Sequence, residues 1–396
     1  MKIMTYFRLN TFCRLVTNNE EGCLYDLSTG RMWELDSENV GLLVEAEKNI
    51  NIERNSFFDE LCEQQLGCYY EKPIWIDHSC FGADETTQSI INNKPYLETM
   101  YIVFDRCSYN CDFCSPNLNR KTGCKKHNIN KTINYKMLIE AVDNALNLGC
   151  QEIIYIGGDP LIYKDLLQKM IVFCNTKVQK QEVYTNGSLL DRYWLEFFQK
   201  NNVKINYQVV NQYISSDIGD NNNLENHIKK IKSYNIELNL TILANNINQY
   251  ELEKYINTSS KVEVAYCIDT VIEPANYRPK DWEEILGKGK SFKMPINQYT
   301  YAMLQTKNSC LYGKVAIKLD GTIIPCPMMD DYVIDNIRHT NIITALRSNI
   351  YKDIIYSTKN NQDKCKICVY RFGCSDCRAV EYNLTKDHKT NELCCR

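Results

Sequence analysis

Cys107-Ser108-Tyr109-Asn110-Cys111-Asp112-Phe113-Cys114 gathers three thiols into one short loop, directly after an apolar run that reads as a strand. Thiolates so spaced are soft ligands, suited to zinc or to an iron–sulfur cluster. Three cysteines leave one iron of a cubane without a protein ligand, and an open iron is what a cluster needs to bind a further cofactor. Zinc wants a fourth ligand, which Cys124 or His127 would supply, so for the loop alone both chemistries stand. A second group, Cys365, Cys368, Cys374, Cys377, Cys394 and Cys395, crowds the C-terminal end, with Cys310 and Cys326 upstream of it. A zinc ribbon on Cys365, Cys368, Cys374 and Cys377 would leave Cys310 and Cys326 without a role.

The N-terminal residues Met1-Lys2-Ile3-Met4-Thr5-Tyr6 have neither the apolar region nor the cleavage site of a signal peptide, and a cytoplasmic protein is expected. In a reducing compartment the twenty cysteines imply metal rather than disulfides. The net charge of −3 is spread without a basic block, and no apolar run is long enough to span a bilayer. Neither nucleic acid nor membrane is therefore an expected partner. Cys13, Cys23, Cys62, Cys68, Cys80, Cys150 and Cys174 sit singly in apolar contexts and read as small core residues, and Cys124, within Lys121–Lys126, reads as part of an exposed loop.

The elements that must position these groups follow from apolar runs bounded by Gly, Asn and Asp. Strands are expected at Tyr101–Arg106, Glu152–Ile156, Glu182–Thr185, Lys204–Val210, Glu237–Leu243 and Val262–Ile268, with helices between them such as Tyr135–Leu148 and Asn226–Tyr234. Such alternation predicts a parallel sheet with crossover helices. Polar residues recur at every second position of the later strands: Asn206 and Gln208, then Glu237, Asn239 and Thr241, then Glu263, Cys267 and Asp269. A sheet covered by helices on one face and lining a polar, ligand-filled interior with the other satisfies that pattern. Residues 1–96 differ, with short strands and two helices that predict a winged-helix-like module; residues 97–295 carry the strand–helix rhythm; residues 296–396 open on a hairpin, Lys314–Leu319 and Thr322–Ile324, and hold the remaining cysteines.

The C-x3-C-x2-C loop after the first strand of this rhythm resembles the radical S-adenosylmethionine (SAM) signature, and Gly157-Gly158-Asp159-Pro160 after the second strand resembles that superfamily's glycine-rich SAM motif. The family usually has Glu where this chain has Asp159. The resemblance implies an α/β fold built on a partial (β/α)6 barrel, a [4Fe-4S] cluster on Cys107, Cys111 and Cys114, and SAM bound near Phe113, Gly157, Gly158, Asp159, Pro160, Thr185 and Asn186. It further implies that an electron from a flavodoxin- or ferredoxin-type donor cleaves SAM to a 5′-deoxyadenosyl radical, which abstracts hydrogen from an unactivated carbon.

The C-terminal cysteines resemble the SPASM domain of peptide-modifying radical SAM enzymes, with a two-residue last internal gap where the family usually has three. That resemblance implies a first auxiliary cluster on Cys310, Cys326 and Cys377 and a second on Cys365, Cys368, Cys374 and Cys394 or Cys395. Residues 1–96 resemble the recognition element of maturases of ribosomally made peptides, which binds a leader as an added strand, here along Leu24–Leu35. The implied activity is modification of a precursor peptide, by a thioether or carbon–carbon cross-link or by epimerisation. A sulfatase-maturing, formylglycine-forming enzyme is the alternative within the fold, and a non-catalytic iron–sulfur or zinc protein is the alternative outside it. Cys267 is expected to be a fourth cluster ligand, a hydrogen-atom donor or a packing residue.

Overall fold

The computed structural model describes residues 4–18, 20–76, 89, 97–111, 114–115, 119–120, 124–127, 129, 132–210, 221–244, 249–269, 295–374 and 377–391. Among the described residues no helix is long and apolar enough to cross a membrane.

The N-terminal module contains β1 (Met4–Leu9), β2 (Cys13–Thr17), β3 (Gly22–Asp26), β4 (Arg31–Leu35), helix α1 (Ser37–Glu47), β5 (Ile52–Glu53), helix α2 (Ser56–Glu63) and β6 (Gly67–Tyr70). Each helix begins where a polar side chain satisfies an orphan amide: Asp36 accepts from the Asn39 N–H at 2.9 Å, and Asn55 from the Phe58 N–H at 3.0 Å. β1 lies between β5 and β6, while β2, β3 and β4 form a separate antiparallel sheet with β3 in the middle. Phe7, Leu9, Leu24, Leu43, Ala46, Phe58 and Leu61 make the module's own core. Of the expected docking stretch Leu24–Leu35, β4 is an edge strand among the described residues and β3 is internal.

Six parallel strands then follow in sequential order: β7 (Thr99–Phe104), β8 (Glu152–Gly157), β9 (Lys180–Thr185), β10 (Val203–Val210), β11 (Leu238–Leu243) and β12 (Ala265–Asp269). Helices α3 (Tyr135–Asn147), α4 (Lys164–Cys174), α5 (Arg192–Lys200), α6 (Asn221–Lys232) and α7 (Gln249–Lys261) return the chain between them. This is the (β/α)6 arrangement, and its strand periodicity divides the environment. Ile102, Ile153, Tyr155, Val183, Ile205, Val209, Leu240 and Ile242 face the helices in one continuous core with Leu138, Met170, Phe198 and Ile228. Each such buried aliphatic side chain contributes roughly 1.5–3 kcal/mol. The intervening positions face the inside: Val103, Ile154 and Ile156 near the first strands, then Asn206, Gln208 and Thr241 further round.

The last strand begins later than its alternation predicts. Val262 and Glu263 close α7 instead, with the Val264 N–H donating to the Ser259 carbonyl at 3.0 Å and Glu263 at φ +51°. This is a left-handed helix termination, and Val262 and Val264 are buried as its apolar contact rather than as strand residues. Glu263 therefore does not share a strand face with Cys267.

The sheet does not end with the barrel. β13 (Lys314–Lys318) pairs in parallel with β7, and β14 (Thr322–Ile324) and β15 (Asp335–Asn336) extend it antiparallel, giving nine strands in the order β12-β11-β10-β9-β8-β7-β13-β14-β15. Helices α8 (Gln298–Thr306), α9 (Ile342–Arg347), α10 (Asn349–Ile355) and α11 (Arg378–Thr385) surround this extension.

Candidate active site

The first cysteine loop and the glycine loop meet at the carboxyl ends of β7 and β8, where parallel sheets place their ligand sites. The Gly158 N–H donates to the Phe104 carbonyl at 2.9 Å and the Asp159 N–H to the Arg106 carbonyl at 2.7 Å. Glycine is required for this approach: Gly157 sits at φ +124°, and a Cβ on it would lie 2.0 Å from the Phe104 oxygen, while one on Gly158 would lie 2.1 Å from the Arg106 oxygen.

Asp159 is fully buried. It accepts from the Leu161 N–H at 3.0 Å, starting the short 3-10 turn Pro160–Tyr163, and from the Thr185 hydroxyl at 3.1 Å. Burial pushes its carboxyl up to about 6 against those hydrogen bonds. Its role on these contacts is to tie the ends of β8 and β9 together. Asn186, one residue on, donates to the Cys107 Sγ at 3.4 Å and to the Ser108 hydroxyl at 3.2 Å. The Thr185-Asn186 pair thus reaches both the glycine loop and the first cysteine. Phe113 lies outside the described residues.

Cys111 and Cys114 share a turn, the Cys114 N–H donating to the Cys111 carbonyl at 3.0 Å. Both pack with Tyr109, Val210, Leu243 and Cys124. The last contact overturns the exposed-loop reading of Cys124, which is buried against the triad with its own N–H donating to the Gln208 side-chain oxygen at 3.0 Å. Burial pushes the Cys111 thiol up to about 12, and the neighbouring thiols Cys114 and Cys107 add to the rise; the Arg120 guanidinium works the other way. Ionising such a group needs a strong local positive charge, which bound iron provides.

His127 does not join the triad as a zinc ligand. Its Nδ1 lies 2.9 Å from Asp330, whose carboxylate also holds the buried Lys125 ammonium at 3.0 Å and Lys318 at 3.5 Å. Burial lowers His127, so a neutral imidazole donating from Nδ1 completes the group. The loop after the triad is thereby fastened to the segment that follows Cys326.

Cys326, Cys310 and Cys377 come together from three separate segments. Burial pushes the Cys326 thiol up to about 12, and the proximity of Cys310 and Cys377 raises it further. Tyr101, on the inner face of β7, is close to Cys326 and Cys310. Cys365, Cys368 and Cys374 lie along consecutive turns, the Cys368 N–H donating to the Cys365 carbonyl at 2.9 Å. Cys394 and Cys395 lie outside the described residues. Among the described residues no three His, Cys, Asp or Glu side chains gather to the spacing of a single metal ion; the thiolates of a cubane each bind a different iron and stand further apart. Of the cysteines expected in the core, Cys13, Cys23, Cys150 and Cys174 are buried, Cys62 is half-buried and Cys68 is exposed; Cys80 lies outside the described residues.

The inner wall between the two cysteine regions is a hydrogen-bonded ladder. Lys180 pairs with Glu152 at 2.5 Å and Glu182 at 3.2 Å, the Asn206 amide donates to Glu182 at 3.3 Å, and Gln208 and Thr241 donate to the Asn206 oxygen at 2.9 and 2.7 Å. Thr241 also lies 3.3 Å from the Cys267 sulfur. Cys267 is exposed, which removes the packing reading.

Comparison with known proteins agrees with this geometry. The family model described as Radical SAM superfamily matches residues 101–258, and the one described as SPASM, an iron–sulfur cluster-binding domain, matches residues 309–377. The cysteine-type anaerobic sulfatase-maturating enzyme of Clostridium novyi (strain NT) is 24% identical over 340 residues, which is 73% of this chain and 88% of that protein. Streptococcus suis SuiB bound to precursor peptide SuiA has a similar fold, with a TM-score of 0.55 at 13% identity, covering 98% of this chain and 100% of that one. Native anSMEcpe with bound AdoMet and Cp18Cys peptide has a TM-score of 0.52 at 14% identity, covering 75% and 93%. Three thiols in one loop against a glycine cradle fit a [4Fe-4S] cluster and SAM, the cofactors of this fold. The chain is thus a member of the Radical SAM superfamily that carries a C-terminal SPASM iron–sulfur cluster-binding domain.

Proposed function

We propose that this protein is a maturase of a ribosomally made precursor peptide, forming a thioether or carbon–carbon cross-link or epimerising a residue. Cys107, Cys111 and Cys114 would hold the SAM-binding cluster, with SAM against Gly157, Gly158 and Pro160. Cys310, Cys326 and Cys377 would hold a first auxiliary cluster, and Cys365, Cys368, Cys374 and Cys394 or Cys395 a second. When bound, the cluster and SAM supply a 5′-deoxyadenosyl radical, with a flavodoxin- or ferredoxin-type protein as electron donor. The chain's own part is to orient and to exclude water: Asn186 holds the cysteine loop, Asp159 and Thr185 fix the glycine loop, and the ladder from Lys180 to Thr241 offers amide and hydroxyl partners to an extended peptide backbone.

The observation that carries this reading is the N-terminal module, whose β4 is a sheet edge available for strand addition. SuiB matches the chain through this module, whereas the sulfatase-maturating relative covers 73% of it. For the epimerising form of the reaction, Cys267 is the hydrogen-atom donor: its S–H bond breaks as a C–H bond forms on the substrate carbon radical. The resulting thiyl is restored by one electron from the donor protein and one proton from water.

Reconstituted protein should be incubated with SAM, reductant and the peptide encoded beside its gene. Cross-linking removes two hydrogens, a loss of about 2 Da, and epimerisation in D2O with an exchanged thiol adds about 1 Da from the deuterium delivered by the donor. Formylglycine formed from a sulfatase-derived cysteine peptide, with the precursor untouched, would overturn the proposal.

A further inference from the structure

The middle strand β3 of the sheet β2-β3-β4 is buried at every position, so both of its faces are covered, whereas antiparallel strands commonly leave one face to solvent. One face, with Leu24 and Leu35, belongs to the N-terminal module's own core. The other face presents Val16, Cys23 and Tyr25, which join Leu27, Tyr301, Leu304, Val369 and Phe372 in a separate apolar cluster. Val369 and Phe372 are residues of the cysteine-rich segment, placed between Cys368 and Cys374.

The contact is specific as well as apolar. The buried Tyr25 hydroxyl donates to the Val369 carbonyl at 2.7 Å, and the Asn18 amide donates to the Ile367 carbonyl at 3.1 Å. The Tyr25 ring meets Tyr301 and Phe372 with centroids 5.7 and 6.2 Å away. Met32, on β4, lies so close to Gly373 that a Cβ there would come within 2.2 Å of its sulfur. Within the cysteine-rich domain itself, Arg371 donates to the Cys368 carbonyl at 2.9 Å and Lys359 to the Cys374 carbonyl. The turns carrying these cysteines are therefore clamped between their own domain and the N-terminal sheet.

We propose that the N-terminal module is a structural part of the seat of the second auxiliary cluster, with Tyr25 a positioning residue that holds the Cys368–Cys374 turn closed over it. This rests on the assignment of Cys365, Cys368 and Cys374 to that cluster. The module then has two duties on one small sheet: an edge for peptide and a face for the cluster loop. Burial pushes the Tyr25 hydroxyl far above its ordinary range, so it stays a donor at any working pH.

The test is the rate at which anaerobically reconstituted full-length protein loses iron to bathophenanthroline disulfonate under reducing conditions. A Cys365→Ala/Cys368→Ala variant identifies the phase that belongs to this segment. Tyr25→Phe should accelerate that phase about three- to tenfold, the range set by one lost hydrogen bond, and leave the others unchanged. Leu27→Asp, which opens the apolar contact, should accelerate it more. Wild-type release rates in both Tyr25→Phe and Leu27→Asp would overturn the proposal. If the double cysteine variant retains all its iron, the cluster assignment itself fails and takes the proposal with it; that outcome is distinct because it appears before either interface variant is made.

Discussion

The two cysteine regions are built in opposite ways. At the SAM end, three thiols, a glycine cradle and the Thr185-Asn186 pair are each supplied by one short loop at the end of one strand, and hydrogen bonds between adjacent loops align them. In the auxiliary region the thiols arrive on segments far apart in the chain, and Cys326, Cys310 and Cys377 meet only because helices, a hairpin and a buried ion group pack around them. A local site depends on its own loop. A distributed site depends on everything that packs it, so damage far from the cysteines should reach the auxiliary region more than the SAM end.

The largest effect should come from replacing Cys107, Cys111 and Cys114 together with Ala. Formation of 5′-deoxyadenosine should cease and about four irons per chain should be lost, with auxiliary iron retained. Chromatography of the nucleoside and iron analysis measure both, and continued SAM cleavage would break the local half of the comparison.

Asp330→Asn probes the distributed half without touching a cysteine. Removing the carboxylate takes the Asp330 charge from beside the buried Lys125 and Lys318 ammoniums, and the loss of stability should be about 3–5 kcal/mol, read from the denaturant midpoint. The pH dependence has a definite sign. Burial opposes the Asp330 charge, but His127, Lys125 and Lys318 outweigh it and hold the carboxyl well below the usual aspartate range. A depressed folded pKa stabilises fully above the ordinary value of about 4 and is lost as the pH falls through the folded one. Wild type should therefore lose stability in acid more steeply than Asp330→Asn. Equal acid limbs would show that the ion group does not hold the region together.

Cys267→Ala should have the smallest effect on the fold, because the side chain is exposed and its polar neighbour is Thr241. Unchanged iron with SAM cleavage but no epimerised product marks a donor. Loss of iron marks a ligand instead, and would mean that the distributed site reaches onto the barrel wall.

What was legible in the sequence divides along the same line. The strand–helix rhythm and the polar inner face of the later strands follow from local periodicity and appear as expected apart from shifts at strand ends; the first cysteine loop is legible from its spacing. Lys121–Lys126 has the composition of a solvated loop, which hides the burial of Cys124; the buried Lys125 ammonium lies against Asp330, which is remote in sequence. Val262 and Val264 imitate strand alternation while serving a helix terminus, a distinction that rests on the left-handed conformation of Glu263. The docking of β3 on the cysteine-rich segment leaves only one trace in the sequence, the apolar character of Val16, Cys23 and Tyr25, and apolar residues do not name their partner.

The parallel pairing of β13 with β7 bears on how the protein is made. β7 opens the barrel, yet the strand that covers its outer edge is translated only after all six barrel strands have left the ribosome. Until then β7 carries an unsatisfied row of amides and carbonyls, a surface that invites mispairing with other chains. The non-local closure predicts slow folding. It also orders biogenesis: the cysteine loop at the end of β7 gains its final alignment late, so iron delivery is best coupled to the finished polypeptide rather than to the nascent one.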